Sequence, residues 1–463
     1  MQLIFIPHPG AGHLAAMVEL ANLLIDRHAA LSISLLIITT PSTAAAVTRY
    51  TDSLPAASPR ITLHHLPNDA APPAGGGDFA LIETQKPRVR EAVVRRSPDG
   101  ARLAGFVLDM FCTSMIDVAD EFGVPSFIFF TSPASVLGFI LHIQASHDGE
   151  EGLDITEFEG TELAVPSWAN PIPRWAFPNN VVKKELIQSF YRIARDFRRT
   201  KGILVNSVKE LESCAVDALS SSGGNKVYPV GPILNLKGAD GGGTKKEEVI
   251  EWLDRQPKST VVFLCFGSMG AFREEQVREI ANGLEASGLR FLWSLRRPGP
   301  EGTRAAGPTD YEDVGEILPE GFVERTAEVG RVIGWAPQTT ILAHRAVGGF
   351  VSHCGWNSTL ESLWFGVPMA TWPMYAEQKL NTFLLVNELE VATEIRMSYS
   401  SESGETVTAK EIERGVRRLM ERDGSREEKL KRFNDGVRKA LMDGGSSSSS
   451  ITEFIEDVRN GGT

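Results

Sequence analysis

Cysteine is scarce in this chain: Cys112, Cys214, Cys265 and Cys354 are 4 residues among 463. They are too few and too scattered for a disulfide framework or a zinc cluster, and they suit a reducing compartment. Basic charge is not in excess, because 47 Lys and Arg stand against 59 Asp and Glu, for a net charge of −12. A nucleic-acid binder normally shows a basic domain, so binding a phosphate backbone as the main task is disfavoured. Long apolar runs are missing as well. The longest uncharged stretch, Phe122 to His147, contains Pro125 and Pro133 and several hydroxyl residues. It reads as a buried strand and helix, not a membrane span. Met1 to Pro7 has no basic n-region, so no signal peptide is expected, and the expected location is the cytosol.

Several motifs are absent too. There is no G-x-x-x-x-G-K-[ST], no H-E-x-x-H, no C-x-x-C and no Asp-x-Asp. A P-loop, a zinc hydrolase and a metal-bridged diphosphate are therefore not indicated, and no metal is expected. Gly267-Ser268-Met269-Gly270 looks like a nucleophile elbow, but Phe266 stands where that turn needs its first glycine.

What is present is an ordinary globular composition, 42% apolar and 23% charged, in a chain long enough for two large domains. Short β-branched runs alternate with amphipathic helices, the pattern of a parallel sheet covered on both faces. Strands are predicted at Leu3–Ile6, Ser32–Ile38, Leu103–Leu108, Ser126–Phe130 and Ile203–Asn206. After Leu3–Ile6, the turn Pro7 to Gly12 leads into a helix with apolar Leu14, Met17, Val18, Ala21, Leu24 and Ile25. A second unit repeats the device: strand Val261–Phe266, glycine turn Gly267 to Gly270, helix Glu274–Ala286. Between the units, Leu236 to Thr244 is Gly-rich and reads as a linker. The expected division is 1–236, a linker at 237–248, and 249–443. A terminal segment, 444–463, carries the stripe Ile451, Phe454, Ile455, Val458 and is expected to dock back on the first unit. The fold class is thus α/β, two Rossmann-like doubly wound parallel-sheet domains facing a cleft, with ligands beyond the carboxyl ends of the strands.

Gly10-Ala11-Gly12-His13-Leu14-Ala15 fits a dinucleotide fingerprint. The second strand, however, ends Ile38-Thr39-Thr40, without the acid that a nicotinamide ribose requires. That argues against an oxidoreductase.

The informative segment runs from Trp335 to Gln378, WAPQTTILAHRAVGGFVSHCGWNSTLESLWFGVPMATWPMYAEQ. Val347–Ser352 is a predicted strand, and His353-Cys354-Gly355-Trp356-Asn357-Ser358 is the turn into a helix. This turn offers an imidazole, a glycine, an amide, a hydroxyl and free N–H groups at a helix N-terminus, which suits a diphosphate without a metal. Glu361 shares a helical face with Asn357 and Ser358 and could accept both hydroxyls of a ribose. Trp335 could stack on a nucleobase, worth about 1–3 kcal/mol. Glu377 and Gln378 open another helix and offer partners for sugar hydroxyls.

This segment resembles the signature box of plant UDP-sugar-dependent small-molecule glycosyltransferases, which have the two-domain GT-B fold. The resemblance extends to Pro9–His13, to Val107–Asp109 with the following Cys112–Asp117, and to Phe266–Ser268, and so covers essentially the whole chain. It is nearest to members that glycosylate flavonoids, other phenolics and terpenoids. The resemblance implies that His13 is the catalytic base and Asp109 the carboxylate orienting it. It further implies that Trp335, Ala336 and Gln338 hold the uridine and Glu361 the ribose. Ser268, His353, Gly355, Asn357 and Ser358 would hold the diphosphate, with Trp356, Glu377, Gln378 and Thr131 at the sugar. The implied reaction transfers glucose from UDP-glucose to a hydroxyl of a hydrophobic small molecule, with inversion. The terminal Gln378 matches the family tendency for glucose, and another UDP-sugar is the alternative donor. A catalytically silent sugar-nucleotide binder is the rival from another class. No nucleic acid, membrane or partner chain is expected, and the expected state is a monomer.

Two positions depart from the family pattern: Ala16 replaces a usual proline, and Glu377 stands where Asp is common. The helix N-terminus at His13 is expected to keep its imidazole neutral. Trp168, Trp175, Phe177, Phe190 and Tyr191 form an aromatic region that could line an acceptor pocket or bury a loop. Trp364 and Trp372 are expected in the core. His8, His64 and His65 carry no functional signal.

Overall fold

Strands rich in Val, Ile, Leu and Phe are buried on both faces here, which is what a parallel sheet between helix layers requires. In the computed structural model, which describes residues 1–40, 43–54, 58–67, 77–95, 101–150, 152–236, 243–299 and 307–461, they build two such sheets. The N-terminal sheet contains β1 (Gln2–Ile6), β2 (Ser32–Ile37), β3 (Ile61–His65), β4 (Leu103–Asp109) and β5 (Ser126–Phe130). A short antiparallel hairpin, β6 (Glu162–Leu163) and β7 (Ile172–Pro173), interrupts the series before β8 (Gly202–Val205) and β9 (Lys226–Pro229) complete it. The order is β3-β2-β1-β4-β5-β8-β9, parallel throughout.

The C-terminal sheet holds β10 (Val261–Cys265), β11 (Arg290–Ser294), β12 (Gly330–Ile333), β13 (Val347–Ser352), β14 (Met369–Thr371) and β15 (Ala392–Glu394). Its order is β12-β11-β10-β13-β14-β15, again parallel. Both sheets reverse their winding once, between β1 and β4 in the first and between β10 and β13 in the second. At such a reversal the connections leave in opposite directions and open a crevice at the carboxyl ends of the two strands. The functional residues predicted from sequence lie at these two crevices.

The helix Ala11–Arg27 buries the predicted stripe against the first sheet. At the other end of the chain, the helix Ser446–Asn460 returns to that same sheet. Phe454 meets Phe127 edge-on at 5.0 Å, and Asp457 accepts the Tyr228 hydroxyl at 2.6 Å. The serines that open this helix are part of it from Ser446, with Ser447 fully buried. Likewise a helix spans Gly243–Asp254, so helical structure begins inside the stretch expected to be linker, because Val249, Trp252 and Leu253 have an apolar surface to cover. Residues 237–242 of that stretch, and the Gly/Pro-rich residues 72–76, lie outside the described residues.

The aromatic region serves packing. Phe177 lies against Phe139 at 5.6 Å, Tyr191 stacks on His147 at 4.2 Å, and Trp168 meets Phe383 of the C-terminal half at 5.7 Å. Trp372 is fully buried, whereas Trp364 is half-buried beneath Arg438. Among the described residues no helix is long and apolar enough to cross a membrane.

Candidate active site

The two crevices face each other across a cleft of about 460 Å³. On the N-terminal side, β1 ends at Ile6 and a turn leads to Gly10, the extended residue before the helix. No side chain caps this helix, so its first N–H groups are available to the cleft. His13 sits in that first turn. Its Nδ1 is 2.8 Å from Oδ2 of Asp109, the last residue of β4. The strand reversal is what brings together residues 96 apart in sequence. Asp109 is fully buried behind His13, and its other oxygen accepts the Phe111 N–H at 3.0 Å.

Burial opposes ionisation of Asp109, yet the adjacent His13, the nearby His8 and the Phe111 N–H together hold its pKa below the usual carboxylate range. For His13 burial likewise works against the charged form. The Asp109 charge and hydrogen bond, aided by the Glu377 charge, outweigh it and raise the imidazole above its ordinary 6.5. Against the expectation that the helix end would favour the neutral form, the two carboxylates favour the protonated imidazole and raise its pKa. With Nδ1–H donated to Asp109, the lone pair of neutral His13 is on Nε2.

On the C-terminal side, Ser268 follows β10 and His353 follows β13. Gly267 and Gly355 press on the His353 ring, since a Cβ at either would lie 2.5 or 2.6 Å from its Nε2. His353 is buried, its Nδ1 has no partner, and burial alone lowers its pKa to about 4. It is a neutral polar group at physiological pH. The helix Trp356–Phe365 starts after Gly355 without a side-chain cap, and Trp356, Asn357 and Ser358 line the cleft at its opening. An uncapped helix N-terminus of this kind favours an anion. One turn further, Gln338 donates to Ser358 Oγ at 2.8 Å and to Glu361 Oε2 at 2.6 Å. Burial pushes Glu361 up to about 7, with the Gln338 bond pulling the other way.

Trp335 is 60% exposed at the cleft, beside the buried Ala336. Arg296 lies over its ring at 5.1 Å, and Asp310 holds both the Trp335 N–H and Arg296 at 3.0 Å. The ring is thus fixed from its own side and open to a planar group. Glu377 accepts the Ser132 hydroxyl at 3.2 Å across the cleft. The Gln378 oxygen is spent on the N–H groups of Met374 and Tyr375, so this residue offers its amide N–H₂ to a ligand. Thr131 is buried at the cleft wall, 3.8 Å from the Met110 sulfur. Trp356 also touches the cleft, but its indole N–H is committed to the Asn206 carbonyl at 2.6 Å, which ties the two halves together.

Every site residue expected from sequence therefore borders this one cleft, except Asp109, which stands directly behind His13. His8, Ser132, Asn206, Arg296 and Asp310 were not expected. Asn206 could have been found as the residue just past a strand's carboxyl end. Arg296 and Asp310 had no local signal, because only the tertiary fold brings them to Trp335.

Comparison with known proteins decides the family. The model described as "UDP-glucoronosyl and UDP-glucosyl transferase" matches residues 234–417. The chain is 50% identical over 449 residues to UDP-glucose flavonoid 3-O-glucosyltransferase 6 of Fragaria ananassa, covering 93% of each protein. It belongs to the UDP-glycosyltransferases. A UDP-glycosyltransferase structure from Siraitia grosvenorii in complex with UDP matches with a TM-score of 0.90 and 46% identity, covering 99% of this chain and 100% of that one. A Medicago truncatula member complexed with UDP-glucose gives 0.87 and 39%, covering 99% and 98%. As a UDP-glycosyltransferase the chain is an enzyme of sugar-nucleotide chemistry with two facing parallel-sheet domains, and the nicotinamide reading of Gly10–Ala15 is set aside.

Proposed function

We propose that the enzyme transfers glucose from UDP-glucose to a hydroxyl of a hydrophobic small molecule, a flavonoid, another phenolic or a terpenoid, and forms a β-glucoside. The observation that carries this reading is the 2.8 Å contact between His13 Nδ1 and Asp109, set across the cleft from an uncapped helix N-terminus. An acceptor hydroxyl must lose its proton as it attacks the anomeric carbon, and His13 Nε2 takes that proton. A positioned general base contributes roughly 10²–10⁴-fold. Asp109 holds the tautomer and stabilises the imidazolium that forms, without itself becoming protonated. A single displacement on an α-linked donor inverts the anomeric centre.

Trp335 stacks on uracil with Ala336 and Gln338 at its border, and Glu361 accepts the ribose hydroxyls. The N–H groups opening the helix after Gly355, with Ser268, His353, Asn357 and Ser358, receive the diphosphate. Those donors and the helix dipole supply the stabilisation that a metal gives elsewhere, so the reaction needs none. Trp356, Glu377, the Gln378 amide and Thr131 face the sugar. The Fragaria relative, named as a UDP-glucose enzyme acting on flavonoids, supports the choice of donor and acceptor class. We further assign the enzyme to the cytosol, a reading supported by four unpaired cysteines, and propose a monomer.

UDP-glucose with a panel of phenols, followed by mass spectrometry and the anomeric NMR coupling, tests the proposal. The expected product is a β-glucoside formed equally well with chelator present. An α-linked product, a chelator-sensitive reaction, or UDP binding without any product overturns it.

A further inference from the structure

The turn between β13 and the helix Trp356–Phe365 carries a strained residue. Cys354 has a φ of 61°, in the left-handed region that suits glycine, although it bears a Cβ. A residue other than glycine stays there only when its surroundings hold it. Cys354 is held at both ends. Its N–H donates to Ser352 Oγ at 3.2 Å, and its carbonyl accepts the Asn381 side-chain N–H at 2.8 Å. The Asn381 amide is thereby oriented, because a carbonyl only accepts. Asn381 belongs to the helix Gln378–Phe383, is fully buried and does not border the cleft.

A trans peptide is planar, with its C=O and N–H on opposite edges. Fixing the Cys354 carbonyl on Asn381 therefore fixes the Gly355 N–H on the side away from Asn381. Gly355 borders the cleft, and among the described residues its N–H donates to no protein group. We propose that Asn381 is a positioning residue: it holds the Cys354–Gly355 peptide in the left-handed turn and so presents the Gly355 N–H to the diphosphate. Ser352 assists from the other end of Cys354. This inference rests on the proposed reading of the cleft as a UDP-glucose site.

The test titrates UDP, and uridine, which lacks the diphosphate, into the intact enzyme by calorimetry. UDP is the probe because Asn381 also stands 3.5 Å from Glu377 Oε1, on the glucose side, and UDP carries no glucose. Asn381→Ala should raise the Kd for UDP about tenfold, the worth of one good hydrogen bond, and leave that for uridine unchanged. Ser352→Ala should raise it a few-fold with the same selectivity, and carries the test if Asn381→Ala does not fold. Adding Cys354→Gly to either variant should restore UDP affinity to within about twofold of wild type, since glycine takes the left-handed conformation without a Cβ penalty. Adding Cys354→Ala, which keeps the Cβ, should restore nothing. Equal weakening of UDP and uridine, unchanged UDP affinity in the variants, no rescue by glycine, or equal rescue by alanine overturns the assignment. Failure of the wild type to bind UDP would instead reject the underlying reading of the cleft.

Discussion

The two strand reversals each deliver a histidine to the same cleft, and the two imidazoles are tuned in opposite directions. His13 has carboxylates on two sides and is raised above 6.5, whereas His353 is enclosed by glycine backbone without an ionic partner and falls to about 4. Burial acts on both; the difference is the company each keeps. In the proposed mechanism His13, the base that accepts a proton, is given a counter-charge. In the same proposal His353 has only to offer a hydrogen bond near the diphosphate, and burial keeps it neutral at physiological pH.

The largest break in this comparison is His13→Ala. Turnover should fall by roughly 10²–10⁴-fold while the Kd for UDP, read by calorimetry, stays at the wild-type value. Asp109→Asn should cost somewhat less, roughly 10²–10³-fold, and adds a diagnostic. The proposed mechanism requires neutral His13, so the acid limb of kcat/KM should report its pKa and lie above 6.5 in the wild type. Removing the Asp109 charge removes the main cause of that rise, and the limb should move to lower pH. On the donor side, Glu361→Gln should raise the KM for UDP-glucose by about tenfold with little change in kcat. Glu361 titrates near 7, and ribose hydroxyls favour its ionised form. The wild-type KM should therefore fall as pH rises through 7, and the Gln variant should lose that dependence. Trp356→Phe should have the smallest effect: it removes the donor to Asn206 and loosens the two reversals from each other, with a few-fold loss of kcat and about 1–3 kcal/mol of stability by urea unfolding.

Legibility in the sequence followed burial for most strands but not for β11, an interior strand whose Phe291, Leu292 and Trp293 are buried and which was not foreseen. β1, β2, β4, β5, β8, β10 and β13 sit inside the sheets and were readable as apolar runs. The strands not foreseen include all four edges, β3, β9, β12 and β15. Ile61–His65 and Gly330–Ile333 are half-exposed edge strands without a continuous apolar run, and Met369–Thr371 is too short to carry a pattern. The donor residues were legible because a single stretch, Trp335–Gln378, supplies most of them around one strand–turn–helix unit. The partners that tune them were not. Arg296 and Asp310 reach Trp335 from a separate loop, and Glu377, which adds to the Asp109 effect on His13, arrives from the other half of the molecule.

The bond from Trp356 to Asn206 also bears on how such enzymes can be recombined. Asn206 further secures Ile233, just before the crossover to the second half, through contacts of 2.7 and 3.4 Å. Asn206 thus joins the crossover to the C-terminal half, alongside the Ser132–Glu377 and Trp168–Phe383 contacts between the two halves. Hybrids that graft one half onto a homologue's other half should stay productive when the junction lies beyond Ile233 and the indole is retained. Junctions cut upstream of that point would yield halves that fold but no longer meet in register.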